Sequence, residues 1–130
     1  MKVKLLNYGT ENMPLRAHEN DAGADIFSQG TYRIGPHTSG KIPLGFGLEI
    51  PDGFMDLILP RSSLASIGLV CEHPPIDSGY RGEIHAIIRN TTNRGISITK
   101  GKRIGQLVIA DFITDDFEQR GANGFGSTGK

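Results

Sequence analysis

The chain has 130 residues, 14 of them Lys or Arg and 14 Asp or Glu, so its formal charge is zero. That length suits one compact domain, and the even balance excludes the polybasic surface that nucleic acids or anionic membranes attract. A lone cysteine, Cys71, excludes an internal disulfide, and no apolar run is long enough to span a bilayer.

Eighteen glycines and seven prolines punctuate short apolar runs. With no targeting segment in the first residues and one thiol, a reducing, cytoplasmic setting is expected. In chain order, strands are predicted over Lys2–Asn7, Thr31–Ile34, Lys41–Ile50, Phe54–Leu59, Gly82–Asn90, Ile96–Thr99 and Arg103–Phe112. Between the first two, Asp21–Ile26 places two acids near a tight turn, where Asp21 reads as a cap. After Phe54–Leu59, Ser62–Ile67 has room for one or two helical turns. Its hydroxyls and free amides, with Arg61, make an anion site or a plain N-cap.

Asp77 follows the apolar Ile76 in a turn and is expected either to be partly desolvated, as suits a general base, or to serve as an Asx-turn residue. In Gly82–Asn90 the inward set is Ile84, Ala86 and Ile88. Cys71 lacks an activating cation and reads as structural. Asn90-Thr91-Thr92 matches a glycosylation sequon by chance. Many short strands without a full helix predict an all-β fold, a sandwich or barrel, over residues 1–119.

Residues 120–130 read as a flexible, glycine-rich arm. Arg120, Ser127 and Thr128 suit phosphate, and Phe125 suits a stacked base. Gly124–Lys130 mimics a phosphate-binding P-loop, but no strand, following Ser or Thr, or helix accompanies it.

Five segments stand together in order: Ala22–Ile26, Pro60–Ala65, Ile76–Glu83, Gly101–Val108 and Arg120–Gly129. They resemble the five motifs of the trimeric dUTPase family over most of the chain. The resemblance implies a jelly-roll-like subunit, a homotrimer with sites shared between subunits, and hydrolysis of dUTP to dUMP and pyrophosphate with Mg²⁺. Asp77 then stands as general base and Tyr80 packs on the deoxyribose, excluding a 2′-hydroxyl. Arg61, Ser62, Ser63 and Gln106 bind phosphates, and Asp25 meets the metal through water. Arg120, Phe125, Gly126, Ser127 and Thr128 close over the bound nucleotide.

The chain departs from the family pattern at three places. Glu72-His73-Pro74-Pro75 replaces a glycine-containing hairpin that reads uracil through its backbone, and prolines remove donors. His73 and Cys71 are candidate pocket-lining substitutes. Asn123 replaces a glycine, and the segment before Ala22 lacks a small residue. The related dCTP deaminases carry a catalytic Glu where Ile87 stands, which disfavours deamination or a bifunctional enzyme. A non-catalytic nucleotide-binding or signalling module would lack the base or the arm, and both are in the sequence.

Overall fold

The computed structural model describes residues 2–112, and among these the architecture is all-β. The strands are β1 Lys4–Asn7, β2 Ala24–Phe27, β3 Tyr32–Ile34, β4 Ser39–Pro43, β5 Phe46–Glu49 and β6 Phe54–Pro60. One turn of helix, α1 Ser62–Ala65, leads to β7 Leu69–Cys71, β8 His85–Asn90, β9 Ile96–Ile98 and β10 Arg103–Asp111. All pairing is antiparallel: β1 with β5, β3 with β9, and two three-stranded sheets ordered β2-β10-β6 and β4-β8-β7.

The core is built from branched aliphatic side chains on the inward positions of these strands. Ile84, Ala86 and Ile88 are buried as their period-two spacing requires, and Ile26, Ile42, Leu44 and Ile104 join them from other strands. Each such isoleucine or leucine contributes about 1.5–3 kcal/mol of burial. Asn90 is also fully buried, its amide donating to the carbonyls of Ile34 at 3.0 Å and Arg94 at 2.8 Å. A glycan has no access there. No helix among the described residues is long and apolar enough to cross a membrane.

The stretch Lys41–Ile50 is not one strand. It breaks at Gly45, whose φ of +75° belongs to the left-handed region. A Cβ there would lie 2.9 Å from the Thr10 side chain. The break lets the Gly45 carbonyl accept from the amides of Tyr8 and Thr10, while its own amide donates to Glu83 Oε2. The β8 ladder begins at His85 rather than Gly82, because Ile84 bonds across this same corner, to Phe46 and Leu44. Two short strands, β2 and β7, were not expected from the sequence. β2 contains Asp25 and reads as a turn, and β7 is only three residues long.

Candidate active site

From β7 the chain runs along Glu72–Pro75 and is caught at Ile76. Ile76 and Asp56 form an isolated antiparallel bridge, each amide donating to the other's carbonyl at 2.9 and 3.0 Å. The next residue is Asp77. Its carbonyl accepts the Tyr80 amide at 3.1 Å, closing a turn through Ser78 and Gly79. The Arg81 guanidinium braces the turn by donating to the Ser78 carbonyl.

A cavity of about 310 Å³ opens beside this turn. Asp77, Tyr80 and the His73–Ile76 stretch form one part of its lining, and Lys41, Glu83, His85 and Ile87 of the β4-β8 region another. Tyr80 is held as a fixed wall. Its hydroxyl donates to the Glu83 carbonyl at 2.9 Å, and its ring lies so close to Gly82 that a Cβ there would meet the hydroxyl at 2.6 Å.

The expected desolvation of Asp77 is not found: the Ile76 side chain turns into the core while Asp77 stays exposed. The desolvated acid is Asp56, on the other side of the bridge. It is 1% exposed, and its Oδ1 has no hydrogen-bond partner. Burial pushes its pKa up to about 6. Sequence reasoning missed it, although Phe54, Asp56 and Ile58 share one face of the predicted strand, where an acid is out of place.

A second cavity, of about 320 Å³, is polar and lies at the β2 edge of the other sheet. Asp21, Asp25, Arg61, Arg103 and Gln106 contribute its polar lining, with Gly23 beneath. Asp25 faces Gln106 across the β2-β10 ladder, and its Oδ2 lies 3.2 Å from Arg103 Nη1. Asp21 does act as a cap, accepting the His18 amide at 2.9 Å. Gly23 permits a close approach, since a Cβ there would lie 2.5 Å from Gln106 Oε1. Arg61, the N-cap residue of α1, has extended backbone and joins this cavity from the end of β6. Ser62 and Ser63 follow it as exposed residues of α1 and line neither cavity.

The predicted site residues therefore fall into two groups: Asp77 with Tyr80, and Asp25 with Arg61 and Gln106. The two groups lie at different points along β6: Asp77 follows the residue bridged to Asp56, whereas Arg61 follows the end of the strand, where Gln106 of β10 and Asp25 of β2 are paired. From Asp56 to Arg61 along the extended chain is roughly 16 Å. Arg120, Phe125, Gly126, Ser127 and Thr128 lie outside the described residues.

The family model for dUTPase matches residues 10–129. The chain belongs to the dUTPase family. Among dUTPase relatives, the deoxyuridine 5'-triphosphate nucleotidohydrolase of Clostridium tetani is 39% identical, covering 100% of this chain and 97% of its own length. That of Tropheryma whipplei is 41% identical, over 90% of this chain and 88% of its own. A mutant dUTPase from phage phi11 of S. aureus, described with a structural Mg(II) ion, superposes with TM-score 0.83 at 27% identity, covering 92% of this chain and 97% of that one. A Staphylococcus bacteriophage 80alpha dUTPase with dUpNHpp, a dUTP analogue, gives TM-score 0.83 at 28% identity, covering 92% and 88%. Ile87 lines the Asp77 cavity with an aliphatic side chain.

Proposed function

We propose that the protein hydrolyses dUTP to dUMP and pyrophosphate, with Asp77 orienting and deprotonating the water that attacks the α-phosphorus. The observation that supports this most is the placement of Asp77: exposed to water, clamped by the Asp56–Ile76 bridge, at a cavity of small-ligand size. Tyr80 beside it is pinned at the hydroxyl, so its ring cannot retreat to admit a 2′-hydroxyl. Arg61 and Gln106 supply the cation and amide that a charged triphosphate needs, and Ser62 and Ser63 offer exposed hydroxyls on α1 directly after Arg61. Charge accumulates on the phosphoryl oxygens in the transition state, so such prepositioned donors stabilise it more than the ground state.

Among the described residues no group of three His, Cys, Asp or Glu could hold a metal. The Asp25 carboxylate, already paired with Arg103 and sharing its cavity with Asp21, fits contact through a water shell. Mg²⁺ carried by the triphosphate would supply charge neutralisation to the leaving pyrophosphate.

The half-sites lie apart along β6, Asp77 beside Asp56 and Arg61 past the strand's end, which supports completion between subunits of a homotrimer, Asp77 of one chain working with Arg61 and Gln106 of the next. Residues 120–130 form the arm that closes the site, Arg120, Gly126, Ser127 and Thr128 on the phosphates and Phe125 over the base. Chromatography of dUTP digests tests the reading: dUMP with pyrophosphate is expected. Formation of dUDP with orthophosphate, or of deaminated dCTP, would overturn it.

A further inference from the structure

Most main-chain donors of the Glu72–Ile76 wall are already engaged or missing. The Glu72 amide donates to the Ile87 carbonyl at 2.9 Å, and the Ile76 amide to Asp56 at 2.9 Å. Pro74 and Pro75 have no N–H at all. A base entering this cavity therefore meets no spare amide along that wall apart from that of His73. What it meets is the His73 side chain, which lines the cavity.

The state of that imidazole is set by its neighbour. His73 Nδ1 lies 2.6 Å from the Pro74 carbonyl oxygen. A carbonyl only accepts, so Nδ1 carries the proton and Nε2 of the neutral ring is left with a lone pair. Tyr80 is committed to the Glu83 carbonyl and Glu83 Oε2 to the Gly45 amide, while His85 Nε2 lies 4.0 Å from Glu83 Oε1. Lys41 on β4, which can only donate, suits a ring carbonyl oxygen.

We propose that His73 is the base-selecting residue of this enzyme: Nε2, held as an acceptor by the Nδ1–Pro74 bond, takes the N3–H of uracil and meets a lone pair when the ring is cytosine. The inference rests on the dUTP reading above and adds to it the group that reads the pyrimidine edge. Shifting the imidazole proton to suit cytosine would break the bond to Pro74, so the preference is built into the wall. A site made to pair a specific polar group discriminates strongly because the mismatch leaves a polar atom unpaired.

Three measurements test it on the full-length protein. The wild type should turn over dUTP well and N3-methyl-dUTP at least about tenfold less efficiently in kcat/KM. His73→Phe, checked for native melting behaviour, should raise KM for dUTP and shrink the dUTP-over-dCTP preference about tenfold or more, while kcat for dUTP stays within a few fold. His73→Gln, which keeps an acceptor near the Nε2 position, should recover part of the preference. Equal use of dUTP and N3-methyl-dUTP by the wild type would overturn the proposal even if neither variant folds. So would an unchanged dUTP-over-dCTP ratio in a folded His73→Phe. A wild type inert towards dUTP is the distinct outcome that overturns the proposed function, and this inference with it.

Discussion

Asp56 is bridged to Ile76, the residue before Asp77, and the two acids occupy opposite media, one carboxylate in water and one in the core. For Asp77, replacement by Asn keeps the turn and removes the proton acceptor. Turnover of dUTP should fall by about a hundred- to ten-thousand-fold with nucleotide binding largely retained, as read by steady-state kinetics beside calorimetry. Near-normal kcat would make Asp77 a turn residue only. For Asp56, the pKa rises from 3.8 to about 6 on folding. Between those values the folded chain holds a proton that the unfolded chain has released, so its contribution is fully present below pH 4 and is lost as pH rises through 6. Asp56→Asn should therefore gain stability over the wild type at pH 8, by at most about 3 kcal/mol, with the gain disappearing near pH 4. Urea melts of both proteins at the two pH values decide it, and a pH-independent difference would contradict the buried-carboxylate account. The sequence showed where Asp77 stands but not its exposure, because the direction of Ile76 depends on a bridge between residues far apart in the chain. Asp56 was legible in principle, as an acid on an apolar strand face.

At the scale of elements, the strands with clear period-two alternation were readable, and β8 shows why: alternate side chains enter the core and turn signals bound the run. The elements that escaped are those set by tertiary pairing. β2 is a strand because β10 pairs with it, not because Ala24–Phe27 alternates. The β4–β5 break needs Gly45 against Thr10, a contact invisible to local pattern. Pairing of β2 with β10 also brings Gly23 under Gln106, and that closeness is testable. In Gly23→Ala the new methyl would meet Gln106 Oε1 at 2.5 Å and its Cβ at 2.9 Å, so the glutamine must move. We expect kcat/KM for dUTP to drop about tenfold, the scale of one lost hydrogen bond to a charged group, with Tm lowered by only a few degrees. Unchanged kinetics would show that Gln106 does not need its present position.

For the whole molecule, the order of motifs along the chain revealed the chemistry, while the separation of the half-sites along β6 required the fold. That separation predicts complementation. Asp77→Asn and Arg61→Ala, each inactive alone, should regain activity when mixed and refolded together. Random assembly leaves about a quarter of sites with an intact member on each side, if neighbouring chains supply the two groups. Mixed trimers seen by native mass spectrometry but lacking activity would place both groups in one chain. The most direct test of the account as a whole is hydrolysis of dUTP in oxygen-18-enriched water, with the products weighed by mass spectrometry. Water directed by Asp77 at the α-phosphorus puts the heavy oxygen in dUMP and none in pyrophosphate. Label in pyrophosphate or in orthophosphate would mean attack at another phosphorus, and the site would not work as described.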